Sequence, residues 1–196
     1  MEQPVFKRVL LKISGEALAG DKHFGLDFQV MGRVADVIKQ CVDMGVQVGI
    51  VIGGGNFWRG VKDGAGHVER VSADRMGMLA TAMNCLAFAD VLRQSGGEAK
   101  VLTAVDIQGV GERYSTDKAI EYLKSGKVVM FGCGTGCPFF STDTAAVLRA
   151  AEIGADAILL AKNIDGVYSA DPKVDPSAVK YDSISYDDVL AQQLAV

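Results

Sequence analysis

The chain alternates short apolar runs, each cut off by glycine or another turn signal, with longer segments whose apolar residues recur every three or four positions. Val9-Leu10-Leu11-Lys12-Ile13 ends in Ser14-Gly15, residues 46–52 run into Gly53-Gly54-Gly55-Asn56, and residues 127–131 run into Gly132-Cys133-Gly134. Runs of that length and composition read as buried strands. Between the first two, Val30, Val34, Val37, Ile38, Cys41 and Val42 share one helix face, with Asp27 as N-cap and Gly45 just past the end. The same reasoning predicts helices over 74–94, 116–124, 142–153 and 185–193, and strands over 100–105 and 157–161. In the 74–94 segment, Met76, Leu79, Ala80, Met83, Leu86 and Ala87 form the stripe expected to face the core. Parallel neighbours need long return connections, and helices supply them. The rhythm predicts an α/β fold with a mostly parallel sheet, and no linker or repeat breaks it into more than one domain.

Composition excludes several other classes. Hydrophobic residues are 49% and charged residues 22% of 196, so the chain can bury a sizeable core. A net charge of −4 offers no general attraction to nucleic acid. No apolar run reaches the roughly 20 residues of a membrane span, and no apolar segment follows the N-terminal charges, so no membrane association and a cytoplasmic location are expected. The four cysteines, Cys41, Cys85, Cys133 and Cys137, read as free thiols in that compartment. Cys133 and Cys137 have no histidine or second cysteine pair nearby, so no metal site is assigned. His23 and His67 fall in loops away from the glycine-rich motifs and receive no catalytic role.

In an open parallel sheet, ligands sit where strand carboxyl ends lead into helix N-termini. Three loops of that kind are present: Lys12-Ile13-Ser14-Gly15-Glu16, Gly53-Gly54-Gly55-Asn56-Phe57-Trp58-Arg59-Gly60, and Gly132 onward through Thr135-Gly136-Cys137-Pro138-Phe139-Phe140-Ser141-Thr142-Asp143. Glycine lets backbone N–H groups approach an anion, and a following helix adds the positive end of its dipole. Any single loop is equally an ordinary turn; three together describe a phosphate cradle. Neither the P-loop nor the G-x-G-x-x-G pattern occurs. Lys12, at the end of an apolar strand, either snorkels at an edge or points into the crevice, where its ammonium could offset charge on a transferring phosphoryl group. Arg59 could clamp phosphate or be a solvated loop residue. Asp143 could cap its helix and also order a lysine or a magnesium ion. Tyr168, after the Asp165-Gly166 turn, could stack on a nucleobase or simply pack at the surface.

These residues carry a resemblance. Lys12-Ile13-Ser14-Gly15-Glu16-Ala17-Leu18, Val51-Ile52-Gly53-Gly54-Gly55-Asn56, Asp74-Arg75-Met76-Gly77-Met78-Leu79-Ala80-Thr81, the 135–143 loop and Asp165-Gly166-Val167-Tyr168-Ser169-Ala170-Asp171-Pro172 stand in the order and spacing of the bacterial uridylate kinases, within the amino acid kinase family. The resemblance implies a three-layer αβα sandwich and transfer of the ATP γ-phosphoryl group to UMP, with magnesium accompanying ATP. It implies catalytic roles for Lys12 and Asp143, and ATP contacts by Lys12, Ile13, Ser14, Gly15, Gly55, Arg59, Lys162, Asn163, Tyr168 and Asp171. It implies UMP contacts by Gly54, Asp74, Thr135, Gly136, Cys137, Pro138, Phe139, Phe140, Ser141 and Thr142. The loop Gly20-Asp21-Lys22-His23-Phe24-Gly25 matches one linked to activation by GTP; UTP as inhibitor and a homohexamer are implied likewise. Two departures stand out: Cys137 replaces the asparagine usual in T-G-N-P, and the family continues for a further strand-helix-strand portion beyond Val196. The competing expectations are a catalytically impaired nucleotide-binding regulatory or sensor module of the same fold, and a kinase of an amino acid or carbamate, against which Asp74 and residues 139–142 argue.

Overall fold

A computed structural model describes residues 4–59, 66–162 and 164–194. The chain divides into two compact units, 1–161 and 162–196. In the first, six strands are described: β1 (Arg8–Ile13), β2 (Gln47–Ile52), β3 (Ala99–Thr103), β4 (Glu112–Arg113), β5 (Val128–Gly132) and β6 (Ala157–Ala161). They form one sheet in the order β4-β3-β5-β2-β1-β6, and every pairing is parallel. The helices between them are α1 (Gly15–Ala19), α2 (Phe28–Asp43), α3 (Arg70–Gln94), α4 (Thr116–Lys124) and α5 (Thr142–Ile153), with a 3₁₀ turn at Gly20–Lys22. The second unit holds the helix α6 (Tyr186–Ala191) and an antiparallel bridge between Tyr168 and Lys180.

Strand side chains alternate between two apolar layers, as a pleated strand requires. Val9, Ile13, Val48, Ile50, Ile52, Val101 and Met130 pack with Met31, Ala35 and Ile38 of α2 and with Cys85, Phe88 and Leu92 of α3. Leu10, Val51, Leu102, Val129 and Phe131 face the other way, onto Ala119 and Leu123 of α4 and Ala146, Ala150 and Ile153 of α5. The result is the expected sandwich of helices on both faces of a parallel sheet. Asp27 caps α2 as predicted, accepting from the backbone N–H groups of Gln29 and Val30. Those two bonds, that from Val30 first, hold its carboxyl below the usual range.

Four features differ from the sequence reading. Helix α1 begins directly at Gly15, where a tight loop is expected, and β4 is a two-residue strand too short to leave a periodic signal. Helix α3 starts at Arg70, four residues before the predicted Asp74. The fourth difference is a correction: Met76, Leu79, Met83 and Leu86 do not face the core but are exposed, at 40%, 50%, 50% and 39%. The buried face of α3 carries Ala73, Ala80, Thr81, Asn84, Cys85, Phe88, Ala89 and Leu92. Small residues are needed there because the helix lies against a glycine loop. A Cβ at Gly54 would stand 2.9 Å from the Gly77 carbonyl oxygen and 3.0 Å from Ala80 Cβ, closer than a side chain tolerates.

Candidate active site

Strands β1, β2 and β5 are neighbours in the sheet, so their carboxyl ends deliver the three glycine loops side by side. Gly53 N–H donates to the Ile13 carbonyl at 3.0 Å and locks the first two loops together. Gly15 is pinned between them, since a Cβ there would collide with the Gly53 carbonyl and lie 2.6 Å from Asn56 Oδ1. Glycine backbone without side chains therefore forms the rim where two parallel strands end, the kind of surface an anion can approach closely.

Lys12 lies on β1, opposite Val51 on one side and Leu160 on the other. It is only 7% exposed, so the snorkelling alternative does not hold. Its Nζ donates to Asp143 Oδ2 at 3.0 Å, and the Asp143 side chain is about half exposed. Asp143 occupies the first turn of α5, whose N-cap Ser141 accepts from the Thr144 N–H at 3.1 Å. A buried ammonium, a helix N-terminus and glycine loops thus converge. Arg59 of the second loop pairs with Glu16, and a Cβ on Gly55 would approach both side chains.

Beside this cradle is a cleft lined by Gly54, Trp58, Asp74, Gly77, Thr81, Cys133, Gly134, Thr135, Cys137, Phe140 and Thr142, among others. Of the residues expected to meet UMP, Gly54, Asp74, Thr135, Cys137, Phe140 and Thr142 stand on its wall. The remaining four, Gly136, Pro138, Phe139 and Ser141, belong to the same 135–142 loop. Phe139 turns into the left-handed region at φ 72° and donates its N–H to Asp74 Oδ2 at 2.8 Å. Arg70 Nε donates to both Asp74 oxygens, at 3.0 and 2.9 Å, and its guanidinium lies 5.1 Å from the Phe139 ring centre. Cys137 keeps its place through backbone geometry, its N–H donating to Thr135 Oγ1 at 3.2 Å.

Several participants escaped the sequence reading. Arg70 sits one helical turn before Asp74, a spacing that would have flagged it had the helix start been placed correctly. Thr81 Oγ1 accepts from the Cys133 N–H at 2.8 Å and holds that residue at φ 66°. Trp58 Nε1 donates to the Ala73 carbonyl at 2.8 Å, tying the second loop to α3. Burial pushes the Cys133 and Cys85 thiols up, so both stay protonated and unreactive. All four cysteines are free. No cluster of three or more histidine, cysteine or acidic side chains that could hold a metal ion is present among the described residues.

The 20–25 segment packs through its last two residues. Gly25 N–H donates to the Asn56 carbonyl at 3.0 Å, and Phe24 meets Phe57 edge to face with centroids 5.8 Å apart. Lys162, Tyr168 and Asp171 belong to the second unit, where Tyr168 Oη donates to Asp165 at 2.8 Å and Asp171 accepts from the Lys173 N–H at 2.9 Å. Asn163 lies outside the described residues.

Residues 7–195 match the model of the amino acid kinase family. The chain belongs to the amino acid kinase family. Within that family it is 53% identical, over 99% of its length and 80% of the relative's, to a uridylate kinase of Marinobacter nauticus. It superimposes on the UMP kinase of Bacillus anthracis with a TM-score of 0.92 and 40% identity, over 97% of this chain and 79% of the other. The UMP kinase of Ureaplasma parvum gives 0.90 and 35%, over 96% and 80%. No helix among the described residues is long and apolar enough to cross a membrane.

Proposed function

We propose that this chain catalyses transfer of the γ-phosphoryl group of ATP to UMP, forming UDP. The observation that carries the reading is Lys12, a nearly buried ammonium paired with Asp143 where the glycine loops meet. The 53% identity with a uridylate kinase supports UMP as acceptor. A UMP phosphate oxygen is already a nucleophile at neutral pH, so the site needs alignment and charge neutralisation rather than a strong base. At about 4 Å two unit charges repel by roughly 1 kcal/mol in water and by several times that in a drier cleft. Lys12 offsets that repulsion, Asp143 orients the ammonium, and the amides of Gly15 and Gly55 receive ATP phosphate oxygens.

UMP occupies the cleft between α3 and the 135–142 loop, with Asp74 and Gly54 on one wall. Ile13, Ser14 and Arg59 complete the ATP contacts of the first unit. Magnesium enters as part of the ATP substrate, held by phosphate oxygens, with Asp143 as the carboxylate beside Lys12. GTP acting through residues 20–25 and UTP are the effectors. The chain works in the cytoplasm, in pyrimidine nucleotide synthesis, as a homohexamer, and the exposed apolar side of α3 supplies a surface on which copies can meet.

A coupled assay of UDP formation tests the reading. Lys12→Ala lowers turnover by at least about 100-fold, the scale of one lost transition-state donor, while the thermal shift caused by UMP persists. Turnover equal to the parent's would remove Lys12 from the chemistry.

A further inference from the structure

Among the described residues of the first unit, Asn56 and Asn84 are the two buried amide side chains, 1% and 0% exposed, and they face each other beneath the glycine loops. Asn84 Nδ2 donates to Asn56 Oδ1 at 2.7 Å, and Asn56 Nδ2 donates to Asn84 Oδ1 at 3.0 Å. The remaining N–H of each reaches a backbone carbonyl: Asn84 to Gly53 at 2.7 Å and Asn56 to Gly25 at 2.7 Å. All four amide hydrogens are therefore used. The pair joins α3, the Gly53–Asn56 loop and the end of the 20–25 segment, and Asn56 Oδ1 also lies directly behind Gly15. A core position on an apolar helix face has no intrinsic need of asparagine, because a leucine would bury more favourably.

We propose that Asn56 and Asn84 are positioning residues for phosphoryl transfer: their reciprocal amide pair sets the phosphate-facing backbone of Gly15 and Gly53–Gly55 and transmits to it any displacement of residues 20–25. The inference rests on the proposed function for its kinetic consequence only. The pair touches no substrate and acts through the carbonyl of Gly53 and the main chain of Asn56. A small shift of that backbone misaligns donor and acceptor phosphates, which lowers turnover more than it weakens binding.

Two variants of the full chain test this, Asn84→Ala and the isosteric Asn84→Asp, which keeps the shape and so guards against loss of folding. In each, kcat for UDP formation falls by about 10- to 100-fold while KM for ATP and for UMP stays within about three-fold. In Asn84→Asp, the deficit relative to the parent shrinks as the pH is lowered from about 8 to about 6, because a buried carboxyl protonates in that range and regains one donor. Hydrogen–deuterium exchange rises in peptides spanning 20–27 as well as 53–58, although Asn84 bonds to neither Gly25 nor Gly15. A folded variant with kcat within two-fold of the parent's, a rise in KM alone, or unchanged exchange over 20–27 overturns the proposal. A parent chain that makes no UDP would defeat the proposed function instead, and the exchange experiment would still decide the role of the pair.

Discussion

The two sides of α3 both carry apolar residues, yet they do different work. The inner side carries alanines, Thr81, Asn84, Cys85, Phe88 and Leu92 against the sheet and the glycine loops. The outer side carries the larger Met76, Leu79, Met83 and Leu86, which remain exposed. Size separates their apolar residues: the inner side is small where the backbone of Gly54 must come close, and bulky only at Phe88 and Leu92, further along. The contrast teaches that a stripe of large apolar residues on a helix marks a surface needing cover, and that the cover need not be the chain's own sheet.

If the contrast is sound, substitution on the inner side far from the cleft has the largest cost. Phe88→Ala, which empties a fully buried site, destabilises the protein by about 3–5 kcal/mol in denaturant unfolding. Next is Thr81→Val, which keeps the volume but leaves the Cys133 N–H unsatisfied; it costs about 1–3 kcal/mol by the same measurement. It also weakens the UMP-induced thermal shift, since Cys133 lines the cleft. The smallest expected effect on the protomer is that of Met83→Ser, within about 0.5 kcal/mol, accompanied by a lower mass in analytical ultracentrifugation. A Met83→Ser loss as large as that of Phe88→Ala would erase the distinction between the sides.

The distinction was not legible in the sequence, for a physical reason. Alanine adds little to a periodicity count, so a helix face built of small residues is overlooked in favour of one with methionines and leucines. The sheet apart from β4 was legible, because parallel strands are unbroken apolar runs and three of them end in glycine loops that are visible directly. So was the pairing of chemistry at Lys12 and Asp143, a cation where a strand should be apolar and an acid where a helix begins. Arg70 was missed together with the true start of α3. The Asn56–Asn84 pair could not be read at all: nothing local relates two asparagines 28 positions apart until the fold brings them together.

The parallel arrangement of the strands has a practical consequence. Every glycine loop of the site leaves one rim of the sheet, so the connections Met44–Val46, Ser95–Glu98 and Ser125–Lys127, which enter β2, β3 and β5, all lie along the opposite rim. Gly45 and Gly126 hold φ at +89° and +80°, which a side chain would strain, so the exposed Met44 and Ser125 beside them are the places to attach a label. A fluorophore or affinity handle attached at either turn would therefore report on the molecule from the far side, leaving its nucleotide-facing edge untouched.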